Sequence, residues 1–167
     1  MIRLGILDFD TSHVVEFTRR LNHKGIAEDQ WVDGAEVVIG CPGESKIMPE
    51  RIPGYADEMK KLGVALVDKP EEMIGKVDGM LIESQEGGPH WERARPFLEA
   101  GLPCYIDKPF TCGVADARKI VDLANDMDEP PPGLFGPGCG PATTNFFTIP
   151  ASSQTTTLFI NYSLFHH

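Results

Sequence analysis

The stretch GILDFDTSHVVEF, residues 5–17, sets Asp8, Phe9, Asp10, Thr11, Ser12 and His13 where an apolar run breaks into a helix pattern. Aspartates two apart at such a break are either a nucleophile with its acid/base partner or caps that favour the start of a helix. Three further clusters follow apolar runs. CPGESK (41–46) offers Pro42, Ser45 and Lys46, ESQEGGPH (83–90) offers Glu83, Ser84 and His90, and DKP offers Asp107, Lys108 and Pro109. Ser45 and Lys46 suit a phosphate and Glu44 suits ribose hydroxyls, and the residues leave both open. In the last cluster a cation, Lys108, stands between an acid and a proline. A histidine opening a helix, as His90 does, is expected to cap or pack.

Elements with the right spacing exist to carry these clusters. IRLGIL (2–7), AEVVIG (35–40), VALV (64–67), VDGMLIE (77–83) and LPCYID (102–107) are short, rich in Val, Ile and Leu, and bounded by Gly, Pro or Asp, so they read as buried strands. Helix patterns lie between them in SHVVEFTRRLNH, YADEMKKLG, HWERARPFLEAG and VADARKIVDLAND, two of them ending at glycine. Pro96 implies a kink or a late start in the third. Strand alternating with helix predicts an α/β doubly wound parallel sheet of five or six strands, Rossmann-like, in one domain over residues 1–125. In such sheets ligands bind beyond the carboxyl ends of the strands, which is where every cluster above falls.

Composition narrows the function classes. A 167-residue chain, 41% hydrophobic, supports one core of ordinary size. A net charge of −10 with no basic stripe opposes nucleic acid as a partner. No apolar run has the length of a signal core or membrane span, so a cytoplasmic protein without membrane contact is expected. Cys41, Cys104, Cys112 and Cys139 lack zinc-ligand spacing, so buried or free thiols are expected and no metal site. After Glu129 the chain has no Lys, Arg, Asp or Glu and is dense in Pro and Gly. Residues 126–167 are therefore expected to form an irregular tail, with TTTLFINYS (155–163) able to add a sixth strand.

The run VDGMLIESQEGGPHWERARPFLEAGLPCYIDKP (77–109) resembles the glucose–fructose oxidoreductase, inositol dehydrogenase and MocA family, from its fourth strand through its Glu-Lys-Pro motif, with Asp107 standing for the glutamate. A second DKP at 68–70 lacks those surroundings and is accounted for by Asp68 capping a short helix. The resemblance covers about residues 1–125. It implies NAD or NADP as cofactor, a small-molecule substrate of the sugar or polyol class, and Lys108 as the catalytic residue, near the nicotinamide and the substrate hydroxyl, where a cation lowers the hydroxyl's pKa and helps place it. The family's glycine fingerprint falls on positions 8, 10 and 13, here Asp8, Asp10 and His13. Asp10 is expected to enter the left-handed turn, to cap the helix with Thr11, and to crowd a diphosphate seated on Thr11 and Ser12. The family's second domain carries an Asp-x-x-x-His pair that no residue after Lys119 supplies, so a truncated or frame-shifted product, weakly active or inactive alone and of undefined oligomeric state, is expected.

Two other readings compete. One is a non-catalytic module that keeps the nucleotide-binding shape. The other is a phosphatase of the haloacid-dehalogenase type, with Asp8 as nucleophile, Asp10 as acid/base, Ser84, Lys108, and Asp126 or Asp128 as magnesium acids.

Overall fold

The computed structural model describes residues 1–125 together with the backbone of 144–151 and 154–161. Along the chain run β1 (Ile2–Leu7), α1 (His13–Leu21), β2 (Ala35–Cys41), α2 (Ile52–Lys61), β3 (Ala65–Leu66), β4 (Gly79–Ile82), α3 (His90–Glu99), β5 (Cys104–Ile106) and α4 (Val114–Asn125). The first five strands form one sheet in the order β3-β2-β1-β4-β5 with every pair parallel, the doubly wound arrangement the alternation predicts. Strand order reverses between β1 and β4, so the crevice beyond their carboxyl ends is the topological switch point.

Each sheet face is closed by helices over its own core. Leu4 and Ile6 of β1, Leu81 of β4 and Tyr105 of β5 pack with Val14 and Phe17 of α1 and Met59 of α2. Met80 and Ile82 of β4 and Ile106 of β5 pack with Phe97 of α3 and Ile120 of α4. The alternation along β4 and β5 is what puts neighbouring residues in opposite cores. In β2 the alternation slips: Leu4 pairs with Val37 but Gly5 with Ile39, and across this irregularity the strand's inward residues change face, Ala35 and Val37 joining one core, Ile39 and Cys41 the other.

Some local expectations are corrected. α3 begins at His90 and continues through Pro96, which lies inside the helix, so there is no late start. The short helix Pro70–Met73 is capped from Lys69, whose amide donates to Glu72 Oε1 at 3.0 Å, and not by Asp68. The tail's strand is β7 (Gln154–Asn161), which pairs antiparallel with β6 (Thr144–Ala151) in a separate two-stranded sheet, so it adds no sixth strand to the parallel one. An adjacent antiparallel partner needs only a short turn, whereas joining a parallel sheet needs a crossover of a dozen residues or more. The Pro/Gly-rich run, Asp126, Asp128, Cys139 and the end of the segment at 162–163 lie outside the described residues. Cys41 and Cys104 are buried free thiols and Cys112 is exposed. Among the described residues no helix is long and apolar enough to cross a membrane.

Candidate functional site

β1 ends at Leu7 and the chain turns at once. Asp8 takes φ +69, the left-handed conformation expected of Asp10, and so does what a glycine does in that place. Short polar side chains tolerate this conformation better than most, which is why an aspartate can stand there. The Asp8 amide donates to the Cys41 carbonyl at 3.1 Å and the Phe9 amide to the Pro42 carbonyl at 2.8 Å, extending the β1–β2 pairing into the loops beyond both strands. Phe9 is a fully buried core residue.

Neither aspartate faces solvent, for both are 1% exposed. Asp8 Oδ2 accepts from Arg93 Nε of α3 at 3.1 Å, and Gly43, itself at φ +65, lies so close to Asp8 Oδ1 that a side chain there would collide with it. Burial pushes the Asp8 carboxyl up to about 7, with Arg93 pulling it down and Asp10 pushing it up. Asp10 Oδ1 accepts from the Gln85 amide at 3.1 Å, and Gln85 Nε2 donates back to the Asp10 carbonyl at 2.6 Å. Asp10 thus braces the loop after β4 and does not cap α1. Of the two expected caps Thr11 alone serves: the His13 amide donates to Thr11 Oγ1 at 3.3 Å, while the Ser12 side chain makes no cap hydrogen bond. Buried carboxylates tied to Arg93 and Gln85 do not present the paired nucleophile and acid that phosphatase chemistry requires.

A groove of about 800 Å³ opens above this turn, lined by Thr11, Ser12, His13, Arg51, Gln85, Asp107, Lys108, Pro109, Phe110 and Thr111. It joins the amino end of α1 to the loop after β5, and neither Asp8 nor Asp10 lines it. His13 Nδ1 lies 2.5 Å from Asp107 Oδ2 and 3.9 Å from Glu83 Oε2, and its ring stacks on Phe17 at 5.4 Å. Glu83 is fully buried, and neither of its carboxylate oxygens has a hydrogen-bond partner among the described residues. Burial, then the negative charges of Asp107 and Asp10, push its carboxyl well above the usual range. Burial pushes Asp107 up as well, but the hydrogen bond and charge of His13, followed by Lys108, outweigh it and leave Asp107 below its ordinary value. Lys108 Nζ lies 4.0 Å from Asp107 Oδ2 on a half-exposed side chain, and the Lys108–Pro109 peptide is cis.

His90 is a buried tie. Its Nδ1 lies 2.9 Å from the Phe110 carbonyl and its Nε2 3.0 Å from the Ser84 carbonyl, so one ring joins the loop after β4 to the loop after β5. Ser84 Oγ accepts the Glu86 amide at 3.2 Å. The loop after β2 stands apart from the groove: Ser45 Oγ accepts the Ile47 and Met48 amides at 3.3 and 3.1 Å, and Lys46 is exposed.

Of the residues nominated from sequence, the groove brings together Thr11, Ser12, His13, Asp107, Lys108 and Pro109. Asp8, Phe9, Asp10, Glu83, Ser84 and His90 are buried and do not line it, and Pro42, Ser45 and Lys46 lie on the loop after β2. Arg93, Gln85, Arg51, Phe110 and Thr111 were not nominated. Arg93 stands one helical turn after His90 and Gln85 directly follows Ser84, and these were the signals in the sequence.

A family model described as an oxidoreductase family with an NAD-binding Rossmann fold (GFO_IDH_MocA) matches residues 45–130, just over half of the chain. No curated protein matches it. A probable dehydrogenase from Thermotoga maritima superposes with a TM-score of 0.61 at 18% identity, over 81% of this chain and 35% of the other. Scyllo-inositol dehydrogenase from Lactobacillus casei, solved with bound NAD(H) and scyllo-inositol, does so at 0.58 and 18%, over 82% of this chain and 35% of that one. UDP-N-acetylglucosamine 3-dehydrogenase from Acidithiobacillus ferrooxidans gives 0.57 and 16%, over 75% and 35%. The chain spans about a third of the length of these structures.

Proposed function

The chain belongs to the GFO_IDH_MocA oxidoreductase family, with its NAD-binding Rossmann fold, and from that premise we propose that it is the cofactor-binding part of a dehydrogenase acting on a sugar- or polyol-like alcohol. The observation that carries this reading is the groove from the amino end of α1 to Lys108, from which both fingerprint-position aspartates are withdrawn. A diphosphate placed on the hydroxyls and amides of Thr11 and Ser12 meets the positive end of a helix and no carboxylate of the β1–α1 turn. The residues therefore fit the dinucleotide despite the missing glycines. Adenosine falls toward the loop after β2, where Glu44, Ser45 and Lys46 are the groups in reach of ribose hydroxyls or a 2′-phosphate.

Bound nicotinamide would supply the hydride acceptor or donor. The chain's own contribution is to place a cation, Lys108 Nζ, at the mouth of the groove, where it lowers the pKa of an alcohol hydroxyl and orients it. Asp107 and His13 hold that lysine's surroundings in one charge arrangement. That two neighbours in the fold comparison act on an inositol and on a nucleotide sugar supports the substrate class.

The test is a titration of NADH and of NADPH against the chain, read by cofactor fluorescence, followed by dehydrogenase assays over a panel of inositols and sugars. Saturable binding of one equivalent is the expected result. A well-folded chain that binds neither cofactor overturns the reading and leaves a non-catalytic module with this fold.

A further inference from the structure

We infer that His13, Glu83 and Asp107 form a binding site for one divalent transition-metal ion of the zinc type, with a coordination position open to the groove. The three side chains come from the start of α1, the end of β4 and the end of β5, and one ligand atom from each lies within 4.8 Å of the other two. Glu83 supplies the independent sign. It is fully buried at the centre of the group, and both of its oxygens lack a hydrogen-bond partner among the described residues. Buried polar atoms are almost always satisfied, and a carboxylate left without partners is among the most unfavourable groups to bury. A cation on that carboxylate removes the penalty.

Charge points the same way. The carboxylates of Asp107 and Asp10 and the ammonium of Lys108 act on Glu83, and a doubly charged ion neutralises what the lysine leaves of the three carboxylates. The donor set chooses the class of ion. One imidazole nitrogen with two carboxylate oxygens suits zinc and its neighbours in the first transition series, whereas magnesium and calcium take oxygen ligands alone. Three protein ligands with a fourth position left open is the pattern of sites that bind a substrate oxygen or water. Here that position faces the groove through His13, which lines it and is 15% exposed at its side chain. The site does not depend on the dinucleotide reading.

The experiment strips the whole chain of metal with a chelator and titrates it with Co²⁺, whose visible absorption reports nitrogen and oxygen ligation, and then with Zn²⁺. One equivalent of Co²⁺ should bind and be displaced by Zn²⁺. Glu83→Gln and His13→Gln should each weaken uptake by at least about tenfold, while Glu50→Gln on the exposed surface should leave it unchanged. If Glu83→Gln fails to fold, the partly exposed His13→Gln carries the comparison. Absence of the absorption band in the folded chain, or a band of undiminished affinity in His13→Gln, overturns the proposal. A protonated Glu83 carboxyl in the infrared spectrum with metal present overturns it also. NADH titration of the same preparation separates this outcome from the fate of the dinucleotide reading.

Discussion

Arg93 Nε lies 3.1 Å from Asp8 Oδ2, so a guanidinium from the first turn of α3 closes over the carboxylate that ends β1. This pair makes an aspartate workable where the fold ordinarily takes glycine. The backbone obtains its left-handed residue, and the charge that comes with it is held inside the protein instead of in the cradle.

The pair has a pH signature. Burial raises the Asp8 carboxyl from 3.8 to about 7, so the native state binds this proton more tightly than the unfolded chain does. The associated stability is fully present below about 3.8 and is lost as pH rises through about 7. Asp8→Asn keeps a residue that tolerates positive φ and removes the titration. Thermal unfolding measured from pH 4 to pH 8 should lose less stability in the variant than in the parent, by on the order of 3 kcal/mol. Parallel profiles for the two would contradict it.

His90 joins the loop after β4 to the loop after β5 through the Ser84 and Phe110 carbonyls. A neutral imidazole donates through one nitrogen only, so His90→Ala takes the donor from one of these carbonyls, and a stability loss of about 1–3 kcal/mol is expected by chemical denaturation. His90→Gln, which can still reach one carbonyl, should recover part of it. A variant as stable as the parent would show that the tie carries no load.

The sheet was legible because its strands are short, apolar and punctuated by Gly, Pro and Asp, a pattern that burial on both faces imposes. The DKP motif and His90 were legible from their spacing along residues 77–109. The meaning of Asp8 and Asp10 was not. Their partners lie 85 and 75 residues away, and no local pattern links a strand-end aspartate to Arg93 or to the Gln85 amide. Choosing which aspartate takes positive φ depends on the Cys41 and Pro42 carbonyls across the sheet, again a long-range matter. The convergence of His13, Glu83 and Asp107 likewise appears only when three strand ends are side by side. The tail's strand was legible from its Thr, Phe and Ile, but its antiparallel partner was not, since 144–151 continues the Pro/Gly-rich run and itself contains Pro150.

Lys108 is half exposed, so its side chain should matter little for folding. Lys108→Ala is expected to change stability by within about 0.5 kcal/mol. NADH affinity, measured by calorimetry, should stay within about twofold, since the proposed cofactor placement sets the lysine at the nicotinamide end, away from the diphosphate. A large loss of affinity would relocate the lysine's work to the cofactor phosphates.

Under the proposed cofactor placement the carboxylates at positions 8 and 10 are buried within the protein and not set in the phosphate cradle. The most direct measurement is NADH affinity of the parent chain, Asp8→Asn and Asp10→Asn at low and moderate salt. Asp10→Asn retains an oxygen for the Gln85 amide, so the loop keeps its brace. The account predicts saturable binding by all three chains, with affinities within about twofold of one another and the same salt dependence. Binding that tightens by about tenfold or more on removal of either charge, most strongly at low salt, would place that carboxylate against the diphosphate and contradict the account.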